Sequence, residues 1–164
     1  MNEDGRGEPS GGGVVRLRAM TGADIEACVP LLAQLGYEMS RDEAARRMAE
    51  VLSMPGHALM VAERAGRVVG LLHVFDRPAI ENPREAVVQA IVVDRAGRRA
   101  GIGHMLMAEA ERWGRERNCG SVVLSSNIAR APAHALYAAL GYRVSATSYV
   151  MRKPLAPRKP LAPK

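Results

Sequence analysis

Apolar positions recur along the chain with two periods, and the points where one period gives way to the other mark its elements. Val14 to Arg18 alternates as a strand does. Thr21 then offers an N-cap to a helix on which Ile25, Val29, Leu32 and Leu35 share one face, with Gly36 placed to end it. Ser40-Arg41-Asp42-Glu43 is a capping box, so a second helix starts there and buries Ala44, Met48 and Val51. After the turn Met54-Pro55-Gly56, the runs His57 to Glu63 and Arg67 to Phe75 flank Arg64-Ala65-Gly66 and predict a hairpin. Pro78 and Pro83 bracket a loop.

Ala86 to Val93 is apolar almost without interruption, which predicts a strand covered on both faces. The helical period returns in Gly101 to Arg117, where Ile102, Leu106, Ala110 and Trp113 form the dry stripe. Ser121 to Ser125 is a short strand, so the segment from Ala86 reads as strand, crossover helix and parallel strand. Pro132 suits the first turn of a last helix that buries Ala133, Leu136 and Leu140 and stops at Gly141. Tyr142 to Val144 and Thr147 to Met151 are expected as a final antiparallel pair.

The 164 residues, 48% of them hydrophobic, supply one core. The expected organisation is a polar, glycine-rich disordered leader over residues 1–13, one domain over 14–153, and a disordered tail over 154–164. The net charge of +6 suggests nucleic acid until its placement is considered. Arg152, Lys153, Arg158, Lys159 and Lys164 all lie in residues 152–164, whose KPLAPR and KPLAPK repeats can neither form a helix nor pack. With few aromatics to stack on bases, the body of the chain does not read as a nucleic-acid binder. No run is apolar for the roughly 20 residues of a membrane span. Cys28 and Cys119 lack metal or redox spacing, which points to the cytoplasm and to no metal.

The segment richest in chemistry is Arg98-Arg99-Ala100-Gly101-Ile102-Gly103-His104, between a buried strand and a helix start. The first helical amides have no intrahelical acceptor, and the peptide dipoles add positive potential at that end. Glycines there admit a ligand to the backbone, and the two arginines add charged donors, so a pyrophosphate fits. A nucleoside-triphosphate loop would need Lys and then Ser or Thr after the second glycine, where His104 stands; a dinucleotide fingerprint would need a third glycine.

Arg98, Gly101 and Gly103, after Val92-Val93-Asp94, resemble the Q/R-x-x-G-x-G/A signature of the GNAT superfamily of acyl-CoA-dependent N-acetyltransferases. Val68-Val69-Gly70-Leu71 is similar to that family's third strand, and Ala133-His134-Ala135-Leu136-Tyr137 with Leu140-Gly141-Tyr142 to its last helix and following strand. The resemblance spans Val14 to Lys153. It implies an α/β (α+β) GNAT-like fold with a mixed central sheet of six to seven strands and about four helices. It also implies acetyl-CoA as acyl donor, with the backbone of Ile91, Val92 and Val93 along the pantetheine arm and Arg98, Arg99, Ala100, Gly101, Ile102, Gly103 and His104 around the pyrophosphate. Asn127 and Arg130 join the cofactor candidates; Arg130 stands where many relatives carry asparagine, and could meet a phosphate or cap the preceding strand.

The activity implied is direct aminolysis of the thioester by a primary amine, which needs a neutral amine, a polarised carbonyl and a proton for the departing thiolate. By helical spacing alone Tyr137 reads as a packing residue; the resemblance reverses that, since it matches the family tyrosine that acts as general acid. Many relatives place a carboxylate base in the strand before the glycine loop, but Ala86 to Val93 has none, and Gln89 cannot take a proton near neutrality. Base candidates are His73, Glu81, Glu85 or a chain of waters. Tyr37, Glu38, Asp76 and Glu81 would give the acceptor entrance a partly acidic mouth, suited to a small cationic amine, a lysine side chain or an N-terminal amine. The missing carboxylate also leaves a non-catalytic acyl-CoA sensing module as an alternative, and exposed strand edges leave a homodimer open.

Overall fold

The protein was analysed as a computed structural model that describes residues 13–155. The expected leader and the end of the expected tail, residues 1–12 and 156–164, lie outside the described residues. One mixed sheet carries the fold, in the order β1 (Val15–Ala19), β2 (His57–Arg64), β3 (Arg67–Arg77), β4 (Glu85–Val93) and β5 (Ser121–Leu124). The first four strands pair antiparallel and β5 pairs parallel to β4. Helices α1 (Ile25–Leu35) and α2 (Arg41–Ser53) connect β1 to β2, α3 (Ile102–Glu116) crosses from β4 to β5, and α4 (Ala131–Ala139) follows β5.

Helix ends form where the capping chemistry places them. Ser40 Oγ accepts from the Glu43 amide at 3.2 Å, and Gly36 adopts φ 101° at the end of α1, returning its amide to the Ala33 and Leu32 carbonyls. The start of α1 departs from expectation: Thr21 leads into a 3-10 turn at Gly22–Asp24. Both the Thr21 amide and hydroxyl donate to Asp24 Oδ2, at 2.8 and 3.0 Å. Arg18 closes this corner with two bonds of 2.7 Å to Asp24, while Arg18 Nη2 also bonds Glu63 on the neighbouring strand at 2.7 Å.

The sheet is covered on both faces. Leu72 and Val74 of β3 and Ala86 and Val88 of β4 meet Ile102, Leu106, Met107, Ala110 and Trp113 of α3. On the other face Leu59, Val61, Leu71 and Val92 meet Cys28 and Leu31 of α1 and Met48 of α2. Val88 and Val92, four residues apart in one strand, thus face opposite sides. Register explains it: His73 pairs with Ala90 and Val74 with Val88, so Gln89 has no partner and forms a β-bulge that inverts the alternation.

The six to seven strands expected are corrected to five among the described residues. Tyr142 to Val144 and Thr147 to Met151 form no strands; residues 143–155 run irregular and exposed. Their alternation is real, but a strand needs a ladder partner, and none within the described chain takes up the segment.

Candidate active site

The parallel ladder between β4 and β5 covers only Glu85 to Val88 and Ser121 to Leu124. Past the Gln89 bulge β4 bends away, so the two strands diverge and leave a cleft of about 260 Å³. Val88, Gln89, Ala90 and Ile91 form one wall, and Leu124, Ser125, Ser126 and Asn127 the other. Leu35 and Tyr37, from the end of α1, and Arg130 and Tyr137, from the start and middle of α4, complete it. Such a cleft presents unpaired backbone from both strands, which is the surface an extended, amide-bearing ligand recognises by adding itself as a strand.

Five of the residues singled out from sequence as site candidates meet here: Tyr37, Ile91, Asn127, Arg130 and Tyr137. Val92 is instead buried in the α1 and α2 core, so only its backbone can serve a ligand. Asn127 folds its own loop, with Oδ1 accepting from the Ala129 amide at 2.9 Å. Arg130 Nη2 donates to the Leu35 carbonyl at 3.0 Å and so straps the loop before α4 to the end of α1 across the cleft mouth. His134, one turn from Tyr137, meets Ser126 Oγ through Nε2 at 3.1 Å. Tyr137 is half-buried, its ring edge-on to Tyr142 with centroids 6.2 Å apart. Burial pushes its phenol above the ordinary value, with Arg130 acting weakly the other way.

The glycine loop lies at the far end of β4. Asp94 Oδ1 accepts from the Ala96 amide at 3.1 Å, and Gln34 Oε1 accepts from the Arg95 amide at 3.0 Å, which anchors the turn to α1. Arg98 Nε donates to the Val93 carbonyl at 3.3 Å. Arg99 and Gly101 both take positive φ, 66° and 75°. Gly101 caps α3, and the first amides of that helix, at Ile102, Gly103 and His104, precede the first helical bond, from the Met105 amide to the Gly101 carbonyl at 3.1 Å. A side chain added at Gly101 would meet nothing within 4 Å, so the backbone is open to a ligand there. Gly103 differs: a Cβ would stand 3.0 Å from Leu136, so this glycine lets α3 and α4 pack closely.

The base candidates occupy other ground. His73 on β3 shares a 3.0 Å hydrogen bond with His57, between His57 Nδ1 and His73 Nε2, and His57 stacks on Phe75. Burial, and next the neighbouring His57, lower the His73 pKa to about 4, so its ring is neutral near pH 7. It is not among the cleft-lining residues. Glu81 is exposed in the loop between β3 and β4, whereas Glu85 is held by Arg77 at 2.6 Å. Asp76 of the expected acidic mouth is paired to Arg84 at 3.0 Å. Sequence reasoning did not single out the cleft walls at Ser125 and Ser126, nor His57; the only local signal was the polar Ser-Ser-Asn run that ends the fifth strand. Among the described residues no cluster could hold a metal ion, and no helix is long and apolar enough to cross a membrane.

A strand bulge, a diverging parallel pair and a glycine-capped helix are thus arranged along one strand. The family model described as Acetyltransferase (GNAT) family matches residues 25–142. Over 127 residues the chain is 25% identical to the uncharacterized N-acetyltransferase YhdJ of Bacillus subtilis (strain 168), covering 77% of this chain and 88% of that one. It is 26% identical over 137 residues to aminoglycoside N(6')-acetyltransferase type 1 of Serratia marcescens, covering 80% and 94%. An aminoglycoside N-acetyltransferase solved in complex with CoA shares the fold, with a TM-score of 0.79, 20% identity, and coverage of 89% of this chain and 99% of that one. The chain belongs to the acetyltransferase (GNAT) family and is an acetyl-CoA-dependent N-acetyltransferase.

Proposed function

We propose that the protein moves the acetyl group of acetyl-CoA directly onto a small-molecule primary amine, with the cleft between β4 and β5 as the place of transfer. The observation that carries this reading is the end of the parallel ladder at Val88 and Leu124, which leaves backbone on both walls without a partner. The donor supplies an activated thioester; the chain's residues bind and orient it. Backbone from Ile91 to Val93 pairs with the pantetheine arm. The open amides at the start of α3 hold the pyrophosphate, helped by the positive end of the helix dipole and by the guanidinium groups of Arg98 and Arg99.

The Tyr137 hydroxyl, on a cleft wall, then gives its proton to the thiolate as the C–S bond breaks and the C–N bond forms. Burial of this phenol is compatible with the role, because it keeps the proton on oxygen at neutral pH. The proton lost by the amine leaves by water or by Glu81 or His73. Arg130 holds the mouth closed against α1 and stands ready for a phosphate when that strap opens.

The acceptor enters between α1 and the loop before β4, past Tyr37 and Glu38. Relatives named for acetylating an aminoglycoside and for acetylating glucosamine 6-phosphate support a small amine over a protein side chain. The free thiols of Cys28 and Cys119 suit a reducing compartment such as the cytoplasm. A thiol-release assay with acetyl-CoA and a panel of aminoglycosides, amino sugar phosphates, polyamines and lysine peptides tests both donor and acceptor. Turnover with a small amine is expected. CoA binding by calorimetry, with no thiol released from any amine, would replace this reading with an acyl-CoA sensor.

A further inference from the structure

One end of the sheet carries positive charge that the fold leaves unanswered. The hairpin of β2 and β3 turns there between Arg64 and Arg67, and the glycine loop starts beside it, with the Asp94 amide donating to the Val69 carbonyl at 2.9 Å. Acids near this end are already engaged: Glu63 is held by Arg18 at 2.7 Å, and Asp94 accepts from the Ala96 amide. Arg46, Arg47, Arg112 and Arg115 pair within their own helices, whereas Arg64, Arg67, Arg98 and Arg99 meet no carboxylate among the described residues. Like charges gathered at one end raise the local potential and draw an anion.

Residues 1–12 carry the matching charge: Glu3, Asp4 and Glu8 against the single Arg6. The residue that follows them, Gly13, lies at this same end. A side chain added at Gly13 would begin 3.3 Å from Arg64 Cγ and 3.5 Å from Ala65 Cβ, while one added at Gly97 would begin 3.7 Å from Arg64 Nη2. The point where residues 1–12 join the fold and the turn that opens the glycine loop are therefore one arginine side chain apart. Glu8 lies five residues before Gly13, an extended reach of about 16 Å, and Glu3 and Asp4 reach farther. Gly11, Gly12 and Gly13 put no Cβ in the way of a return.

We propose that the acidic segment of residues 1–8 docks onto Arg64, Arg67, Arg98 and Arg99 of its own chain and competes there with the phosphates of CoA. The inference rests on the reading that the glycine loop holds the pyrophosphate. The occupant follows from charge and tether. Attachment at Gly13 keeps the three carboxylates at an effective concentration of about the millimolar range, which favours them over a free anion of the same kind. Exposed ion pairs are individually weak, so three of them favour docking only severalfold. CoA therefore displaces the segment, and the competition appears as an apparent affinity severalfold below the intrinsic one.

Calorimetry of CoA binding to the full chain tests it. Glu3→Gln/Asp4→Asn/Glu8→Gln should bind CoA about three- to tenfold more tightly at low ionic strength, with the gain falling below about twofold in ~0.5 M salt. Arg64→Gln/Arg67→Gln should also tighten binding, although it removes positive charge near an anionic ligand; a direct CoA contact at these residues predicts the reverse. Trypsin cleavage after Arg6, followed by mass spectrometry without CoA, should be faster in that variant than in the parent chain, and CoA should speed it in the parent. Unchanged affinity on neutralising the three acids, weaker binding on neutralising the two arginines, or cleavage that ignores both the arginines and CoA would each overturn the proposal while the cradle reading stands. Cleavage that slows as protein concentration rises would put the segment on a second copy and overturn it too. No CoA binding in any variant would remove the cradle reading, and this inference with it.

Discussion

Replacing Tyr137 with Phe removes one oxygen from the cleft and leaves the ring that packs edge-on to Tyr142, so the variant separates proton donation from packing. General acid catalysis contributes about 10²- to 10⁴-fold when donor and leaving group are well matched. Here they are not. Burial raises the phenol above its ordinary value, which already lies above that of the leaving thiol, so proton transfer runs uphill. The effect therefore belongs at or below the bottom of that range: kcat should fall about 10- to 100-fold, equivalent to about 1.4–2.7 kcal/mol of barrier. The dissociation constant for CoA should change by less than about twofold, because its binding groups lie on β4 and α3. Steady-state thiol release gives kcat, and calorimetry gives the affinity. An unchanged kcat would mean that the thiolate leaves without this proton, and a loss of affinity parallel to the loss of kcat would make Tyr137 a packing residue.

Gly101→Val should weaken CoA binding by about tenfold or more, since it places a branched side chain on an open αL cap beside the first amides of α3. Gly103→Ala, whose methyl meets Leu136 instead, should keep the affinity within about threefold; calorimetry on both compares a ligand-facing with a packing glycine. His73 titrates near 4 in the folded chain and near 6.5 when unfolded, so protons bind the unfolded state first, and stability is full above about pH 6.5 and falls as pH drops toward 4. Discounted for partial exposure, that loss is about 1–2 kcal/mol, and urea melts of His73→Phe across this range should show a slope shallower by that amount. Asp24→Asn should cost about 2–3 kcal/mol and about 5–10 °C in Tm by thermal melt, because Arg18 keeps Glu63 but loses the carboxylate that holds it in the corner.

What the chain reveals of its fold is what local chemistry decides. The Ser40 cap, the Gly36 stop, the α3 stripe and the strand-helix-strand unit around it are set by residues a turn or two apart, and each forms where its pattern lies. Asp24 illustrates the limit: its spacing from Thr21 was visible, but its partner Arg18 belongs to another element. The Gln89 bulge is a relation between two strands, because only the pairing of His73 and Val74 with Ala90 and Val88 shows that a residue has been left out. The cleft walls were hidden for the same reason. The final pair of strands was misread in the opposite direction: alternation in residues 142–151 records a preference for extended backbone and says nothing about whether a strand lies beside it.

The absence of a carboxylate from Ala86 to Val93 of β4, whose one acid, Glu85, is held by Arg77, constrains the acceptor more than the mouth does. A base with a pKa of about 4, such as His73, holds little driving force to take a proton from an ammonium, and Gln89 has none. The amine must then arrive largely neutral, and its own pKa decides how much is available. At pH 7 an amine of pKa about 8 is neutral in roughly one molecule in ten, and a lysine-like amine of pKa about 10.4 in fewer than one in a thousand. With no strong base to offset that gap, kcat/KM across otherwise similar small amines should rise as amine pKa falls, by about tenfold for a drop of one unit at fixed pH. For each amine it should also rise with pH at a slope near one up to the amine's own pKa. Rates that ignore amine pKa, with a profile breaking at one value for every acceptor, would show that a residue of the enzyme takes the proton, and Glu81 would be the first to replace.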